Sequence, residues 1–207
     1  MNYIPLFPLN LVIYPGAKYP LHIFEERYKI MINRSINNNE PFGIVSKIDL
    51  EISKIGCLVN VDSVIKLYDN GSMDIIINGL ERFKILSTSF HKDGYMLAEK
   101  EKYYDLDRTD YNISTYERTV DIFTNILDRT SIELGQSFWS SLESAKIKSF
   151  KLAEKSGLNL EQQQLLLSLQ SENKRLDFLL EHFEKIDSYL DKNQTIKDII
   201  AGDGYLN

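Results

Sequence analysis

The stretch PLFPLNLVIYPGAKYPLHIFEERYKIM, residues 5–31, decides how the first half of this chain is interpreted. Proline has no backbone N–H and restricts the residue before it, so the four prolines between positions 5 and 20 favour strand edges and turns. We expect strands at residues 3–7 and 18–24, followed by a helix over residues 25–36. The buried face of that helix is predicted from apolar residues at helical spacing: Phe24, Tyr28, Met31 and Ile32.

Turn signals divide the rest of the first half into strands. All five prolines lie at or before Pro41, and six of the ten glycines lie at or before Gly94. Asp69-Asn70-Gly71-Ser72 is a strong hairpin signal, and Asp93-Gly94 predicts another turn. Six strands with one helix favour an antiparallel barrel or a folded-over sheet. Beyond the first two strands, the others are expected at residues 42–48, 55–68, 73–86 and 95–103.

The second half is expected to be helical, because residues 95–207 contain no proline and only four glycines. Ser114 followed by Glu117 is a capping-box pattern and predicts a helix that begins at Thr115. Another helix is predicted over residues 143–156, and Gly157 is suited to the left-handed conformation that ends it.

Two more helices complete this half. Asn159 with Gln162 predicts the start of a short helix, and Ser171 predicts the start of the longest one. Because each helix has one apolar stripe, the four are expected to pack as a small bundle. The tail, residues 194–207, shows no clear pattern.

The composition describes an acidic chain with enough apolar residues for a hydrophobic core. Of the 207 residues, 43% are apolar, and the net charge is −6 with a pI near 5.2. Nucleic-acid binding normally requires an excess of Lys and Arg, so the charge argues against it. The first residues lack the pattern of a signal peptide, and no apolar run is long enough for a membrane span. We therefore expect a cytoplasmic protein that does not enter a membrane.

Motifs of the common enzyme classes are absent from the sequence. There is no Walker A loop, no G-x-G-x-x-G, no G-x-S-x-G and no H-E-x-x-H. The single cysteine, Cys57, lies in an apolar segment and is expected to be buried and unreactive. His22 lies between Leu21 and Ile23, and it is expected either to face solvent or to satisfy a backbone group. We expect no catalytic residue, no metal site and no cofactor.

Several ordered motifs resemble the N-terminal, or substrate-binding, domain family of Lon proteases. The stretch of residues 5–31 is the first of them. The others follow in the family's order in both halves of the chain: residues 42–45, 55–56, 69–73, 78–85, 153–158, 162–167 and 174–180. The resemblance implies an α+β fold, with an N-terminal antiparallel PUA-like β pseudobarrel with one helix, followed by a C-terminal helical bundle. It also places Gly79 at a bulge or corner inside a strand, although Asn78-Gly79 alone indicates a hairpin turn.

The resemblance also implies a division of the chain. A β-rich PUA-like subdomain is expected over residues 1–105, a helical subdomain over residues 106–193, and a tail over residues 194–207. Lon-type proteases carry an ATPase module and a serine–lysine peptidase domain after this region, and neither is recognised in these 207 residues. The expectation is therefore a stand-alone member of the family that is not an enzyme.

The resemblance implies a protein-binding module that captures unfolded or tagged polypeptides or acts as a proteolysis adaptor. A separate protease is then a further possible partner. Such capture needs an exposed apolar patch, a groove or an open strand edge. Tyr14 and Tyr19 flank a glycine-containing turn and are expected to be the most exposed candidates. For each candidate, a role in the turn or in core packing is the alternative. The full candidate set is Tyr14, Pro15, Tyr19, Phe24, Glu26 and Arg27.

Two other functions stay open at this stage. The PUA-like architecture suggests an RNA-binding protein, although fold analogy carries little weight for function. Its basic cluster is Lys146, Lys148, Lys151 and Lys155, of which the last three share a helix face by spacing. The third possibility is an enzyme with a site that no motif reveals. The sequence does not determine the oligomeric state.

Overall fold

The structure is a computed structural model that describes residues 3–107 and 110–190. Within them, all seven strands and one helix precede Tyr104, and the remaining five helices follow it. The chain divides into two compact units at this point, one ending at Tyr104 and the other beginning at Asp105. The strands are β1 Tyr3–Leu9, β2 Lys18–Ile23, β3 Phe42–Ile48, β4 Glu51–Ile52, β5 Ile55–Leu67, β6 Met73–Phe90 and β7 Met96–Lys102. The helices are α1 Glu26–Asn38, α2 Ile113–Thr130, α3 Gln136–Ser144, α4 Lys148–Ala153, α5 Leu160–Ser168 and α6 Glu172–Leu190.

Five strands of the first unit close into a ring of pairings, in the order β1-β7-β6-β5-β3. The ring closes because β1 pairs with β3 in parallel, whereas its other pairs are antiparallel. Closing a sheet removes its open edges and encloses a core. The predicted α+β class and the β pseudobarrel with one helix are confirmed, and the two-residue strand β4 is an addition. The core cluster is Ile4, Leu6, Val45, Leu58, Phe83 and Ala98.

Outside the ring, β2, β6 and β5 form a three-stranded arm. Among the described residues, β2 pairs with residues 73–78 of β6 and with no other strand. On the other side of β6, β5 pairs with β6 up to Leu67, whereas its pairing with β3 ends at Val59. The predicted hairpin turn joins these two strands, because the Tyr68 N–H donates to Ser72 O at 2.9 Å. The arm therefore extends β5 and β6 beyond the barrel, and β2 is its third strand.

Gly79 lies inside β6 at a register shift, which confirms the bulge and excludes the hairpin turn. The turn of residues 14–17 is fastened to this point, because Gly79 N–H donates to Ala17 O and Gly16 N–H donates to Gly79 O, both at 2.9 Å. A Cβ atom at Gly79 would lie 2.1 Å from Tyr14 O, so only glycine permits this approach. Tyr14 is consequently buried, at 0% exposure, and the prediction that it is exposed is wrong.

Helix α1 matches its predicted position but not the whole of its predicted stripe. It ends at Asn38, two residues after the predicted end, with Asn39 in the left-handed region. Tyr28, Met31 and Ile32 are buried as predicted. Phe24 precedes the helix and is 65% exposed, so its assignment to the buried stripe is wrong.

The start of α2 differs from the predicted capping box. The helix begins at Ile113, and the Asn112 side chain accepts the Thr115 N–H at 3.2 Å. Ser114 instead donates its hydroxyl to Asn112 Oδ1 at 2.7 Å. Tertiary structure selects this cap, since the Asn112 N–H donates to the side chain of Asn173, on α6. Ser114 is therefore one residue inside the helix, not its cap.

The helix predicted over residues 143–156 corresponds to the shorter α4, because the extended Ala145 ends α3, a helix that was not predicted. Helix α4 ends at Ala153, three residues before the predicted end, although Gly157 has the expected left-handed conformation, with a φ of 69°. The capping box of Asn159 and Gln162 is present, and α6 begins after Ser171 as predicted. The described part of the second half thus contains five helices instead of four. The tail, residues 194–207, lies outside the described residues.

A buried arginine organises the second unit. The Arg175 side chain is 0% exposed, and its guanidinium lies 4.6 Å from the centre of the Phe150 ring. Its Nη1 and Nη2 atoms donate to the two carboxylate oxygens of Asp105, at 2.8 and 2.6 Å. Nε and Nη2 also donate to Glu172, and Nε donates to Ser149 Oγ at 3.0 Å. Although burial opposes its charge, hydrogen bonds and charge from the two carboxylates raise the pKa of Arg175.

Candidate functional site

Three polar side chains lie side by side across the arm. Asp74 on β6 is opposite His22 on β2 and opposite Lys66 on β5. Residues opposite each other on neighbouring strands point to the same face of a sheet. His22 Nδ1 lies 2.6 Å from Asp74 Oδ1, so a charged pair forms when the imidazole is protonated. His22 and Asp74 side chains are 52% and 32% exposed, which places the pair at the surface.

Two aromatic rings extend this surface. The Tyr68 hydroxyl donates to Asp74 Oδ2 at 2.7 Å, and Lys66 Nζ lies 4.4 Å from the centre of the Tyr68 ring. Phe24 stacks on His22, with 5.9 Å between the ring centres. We call His22, Phe24, Lys66, Tyr68 and Asp74 the arm patch. Within the arm patch, the exposed Phe24 ring stacks on His22, and the hydrogen bond to Asp74 orients His22.

The electrostatics of the arm patch follow from these hydrogen bonds. Hydrogen bonds from His22 and then Tyr68 lower the pKa of Asp74, so its carboxylate remains charged at neutral pH. The hydrogen bond that the Tyr68 hydroxyl donates to the Asp74 carboxylate raises the pKa of Tyr68. The phenol therefore stays protonated. The patch thus combines apolar ring surface with a fixed carboxylate, and it has no activated nucleophile.

Charged residues of α1 border the arm patch. Arg27 pairs with Glu25 at 2.7 Å, and its guanidinium lies 4.6 Å from the centre of the Tyr28 ring. Lys29 pairs with Glu26 at 3.1 Å and also donates to Asn70 O at 2.8 Å, which ties α1 to the hairpin turn of the arm. The residues beside the arm patch therefore carry both positive and negative charge, and Lys29 connects their helix to the hairpin turn.

The structure separates the sequence-predicted candidates into two groups. Phe24, Glu26 and Arg27 follow directly after β2, and all three are exposed. Tyr14, Pro15 and Tyr19 lie at the other end of β2, where Tyr14 is buried and the other two are half-buried. Tyr19 and Phe24 are five positions apart along the chain, a distance of roughly 16 Å at about 3.3 Å per residue.

Sequence reasoning missed Lys66, Tyr68 and Asp74. The hairpin signal predicts that the ends of β5 and β6 are paired, and this could have indicated the proximity of Lys66 and Asp74. Nothing in the local pattern indicated that β2 pairs with β6, so His22 could not be assigned to Asp74. Of the two expectations for His22, exposure is correct, and its hydrogen-bond partner is a side chain.

Cys57 is buried as predicted, and burial raises the pKa of its thiol to about 12. Among the described residues, no group of three or more His, Cys, Asp or Glu side chains is arranged to hold a metal ion. Within the same residues, no helix has the length and apolar character needed to cross a membrane.

The basic cluster of the RNA hypothesis is largely engaged within the protein. Lys148 donates to the carbonyls of Leu142 and Glu143, at 2.9 and 2.5 Å, and so caps the end of α3. Lys151 pairs with the buried Glu154 at 2.6 Å. Lys155 lies beyond the end of α4, so the helix face predicted for these lysines does not extend to it.

The amino-acid sequence is similar to a known family and to a known protease. The sequence matches the family described as ATP-dependent protease La (LON) substrate-binding domain over residues 3–185. A Lon protease of Buchnera aphidicola subsp. Baizongia pistaciae (strain Bp) is 26% identical over 190 residues. That match covers 86% of this chain and 24% of the relative, so the chain spans about a quarter of the relative's length.

Two solved structures share the fold. The Lon N-terminal domain protein from Xanthomonas campestris has a TM-score of 0.68 and 22% identity, and the match covers 87% of this chain and 98% of that one. The N-terminal domain of Mycobacterium avium complex Lon protease has a TM-score of 0.69 and 14% identity, with 88% and 98% covered. At these identities, the likeness is evidence of fold alone.

Proposed function

The chain belongs to the family of the ATP-dependent protease La (LON) substrate-binding domain, and from this premise we propose that it is a non-enzymatic protein-binding module. It captures unfolded or tagged polypeptides, or presents them as an adaptor to a separate protease. The observation that supports this function is the arm patch, where Phe24 is 65% exposed on a fixed support.

A rigid exposed aromatic ring suits the capture of unfolded chains. Unfolded polypeptides expose apolar side chains that folded proteins bury, and an aromatic ring offers a large contact area with few rotatable bonds. Phe24 is restrained further by its stacking on His22. Binding therefore requires little additional ordering of this side chain, which reduces the entropy cost of association.

The proposed contact surface consists of Phe24 with Glu26 and Arg27 beside it. Both charged residues are exposed, and each pairs with an oppositely charged neighbour, Arg27 with Glu25 and Glu26 with Lys29. The surface beside Phe24 can therefore contact the polar backbone of a polypeptide without a strong preference for positively or negatively charged side chains. Pro15 and Tyr19 form a second, half-buried group of candidates at the other end of β2. Tyr14 is buried and supports the turn beneath them.

Fluorescence anisotropy with a labelled, permanently unfolded polypeptide tests this proposal. Replacing Phe24 by serine should weaken binding about tenfold, because it removes an aromatic anchor from the interface. Phe90→Ser is the matched control, since Phe90 is 73% exposed on β6 outside the arm. Thermal melting should show that both variants remain folded. Equal polypeptide affinity of the two variants would rule out Phe24 as the anchor.

The same titration with labelled single-stranded RNA at two salt concentrations examines the alternative function. Polypeptide binding that persists at the higher salt concentration is the expected result, because the proposed contacts are mainly apolar. RNA binding that weakens steeply with salt, without polypeptide binding, would overturn the proposal in favour of a nucleic-acid ligand.

A further inference from the structure

The last residues of β6, 86–90 with the sequence LSTSF, form an open edge of the sheet. On one side they run along β7. On the other side, the pairing of β5 with β6 ends at Ile55 and Lys84, and β2 pairs with residues 73–78. Among the described residues, no strand therefore pairs with residues 86–90 on that side. We call residues 86–90 the β6 edge.

The register shows which backbone groups of the β6 edge face its open side. The His91 N–H donates to Tyr95 O at 2.8 Å, so these two residues form a hydrogen-bonded pair at the end of the ladder between β6 and β7. Bonded and non-bonded pairs alternate along an antiparallel ladder. Thr88 and Phe90 therefore direct their N–H and C=O groups away from β7, and no backbone group of the described chain bonds to them there. These groups are free to pair with another strand.

The β6 edge lacks the features that usually prevent such pairing. Its five residues are all exposed, and none of them is charged or a proline. Natural edges are often protected by lysine, proline or bulges. The arm has such protection, with Pro20 in β2 and register shifts within residues 61–66 of β5. In the β6 edge the register shift lies before Ser87, so the pairing of residues 87–90 with β7 is regular.

The chemical pattern of the β6 edge is the same in both directions along the chain. It consists of an apolar residue, serine, threonine, serine and an apolar residue, and the apolar Leu86 and Phe90 are 53% and 73% exposed. If two copies pair antiparallel about a two-fold axis at Thr88, Leu86 lies opposite Phe90 of the partner subunit. Ser87 then lies opposite Ser89 of the partner subunit, and no like charges meet. Such apolar and hydroxyl pairs across strands are favourable.

We propose that the β6 edges of two copies of this chain pair antiparallel and form a weak symmetric dimer. The two Thr88 residues exchange N–H···O=C hydrogen bonds at the axis, and the Leu86 and Phe90 side chains cover each other on both sides of it. Five strand residues span roughly 17 Å, so the interface is smaller than the roughly 1,200 Å² of stable complexes. We therefore expect a dissociation constant between about 10 μM and 1 mM. The β6 edge shares no residue with the arm patch, so this inference does not rest on the proposed function.

Sedimentation equilibrium of the 207-residue chain between about 10 μM and 1 mM tests the dimer. Thr88→Lys places two ammonium groups opposite each other at the axis and should weaken association about tenfold or more. Thr88→Glu should do the same with two carboxylates. An equimolar mixture of these two variants should recover the dimer, because opposite charges then face each other. Ser63→Lys is the control, because it adds the same charge to an exposed residue of β5. Thermal melting should show that each variant remains folded.

Recovery of the dimer in the mixture supports the two-fold pairing at Thr88. A wild-type chain that stays monomeric over the whole concentration range would show that the inference is wrong. So would an equal loss of association in Ser63→Lys and Thr88→Lys, or a mixture that stays monomeric. The affinity of Thr88→Lys for the labelled unfolded polypeptide should equal that of wild type. If this affinity falls while the wild-type chain is monomeric, the β6 edge binds polypeptide and not a second copy, and the dimer is excluded.

Discussion

Replacement of Arg175 by methionine is expected to lower the free energy of unfolding by about 3–5 kcal/mol. Six hydrogen bonds from this side chain disappear in the variant. Asp105 and Glu172, whose side chains are only 24% and 14% exposed, lose the cation that neutralises them. Removing one partner of a buried ion pair typically has a cost of this size, because the remaining charge stays buried without compensation.

Arg118→Met provides the matched control within the same unit. Arg118 pairs with Glu184 at 2.6 Å, but these side chains are 66% and 41% exposed. Exposed ion pairs contribute about 0–1 kcal/mol, so this variant should be close to wild type. The difference between the two variants isolates the effect of burial.

Urea denaturation followed by circular dichroism measures the change in the free energy of unfolding of each variant, and thermal melting gives the corresponding change in melting temperature. For a chain of this size, a loss of about 1 kcal/mol lowers the melting temperature by about 2–4 °C, so Arg175→Met should melt about 6–20 °C below wild type. A triple variant with Asp105→Asn and Glu172→Gln should recover part of the loss, because it also removes the uncompensated charges. If Arg175→Met is no less stable than Arg118→Met, the reasoning about buried charge is refuted.

Three further predictions concern other parts of the chain. Gly79→Ala should destabilise the protein by about 3 kcal/mol or more, measured by thermal melting, because the new Cβ lies 2.1 Å from Tyr14 O; a melting temperature equal to that of wild type would contradict the close approach. Burial lowers the pKa of His182, so the folded protein takes up this proton at a lower pH than the unfolded chain does. The free energy of unfolding contributed by the neutral ring is complete above the ordinary pKa of 6.5 and is lost as the pH falls through the pKa of the folded state. The free energy of unfolding of His182→Gln, from denaturation curves, should therefore depend less on pH than that of wild type. An identical pH dependence would argue against this assignment. Cys57, with a pKa of about 12, should resist alkylation at neutral pH until the protein unfolds, and rapid labelling of the native protein, measured by mass spectrometry, would show that the thiol is accessible.

Local signals in the sequence were sufficient where the determining contacts are local. Asn70 Oδ1 accepts hydrogen bonds from the Ser72 backbone N–H and hydroxyl, so the hairpin turn is specified within a few residues. The capping box of Asn159 and Gln162 is likewise complete over four consecutive residues. Gly157 adopts the left-handed conformation predicted for it, because glycine takes positive φ without a steric penalty.

The failures occurred where a distant residue decides. Ser114 and Glu117 form an acceptable capping box, but Asn112 caps α2 because its backbone is held by Asn173. Tyr14 looks like an exposed turn residue, yet the turn packs on Gly79, far along the chain.

The sequence by itself determined the family, the α+β class, the hairpin between β5 and β6 and the absence of recognisable catalytic motifs. These features depend on residue order, composition and contacts between near neighbours. Only the tertiary structure joined His22 to Asp74, 52 positions away, and Arg175 to Asp105, 70 positions away. Hydrophobic periodicity reports which face of an element is buried, but not which distant element covers it, and the proposed sites depend on that second choice.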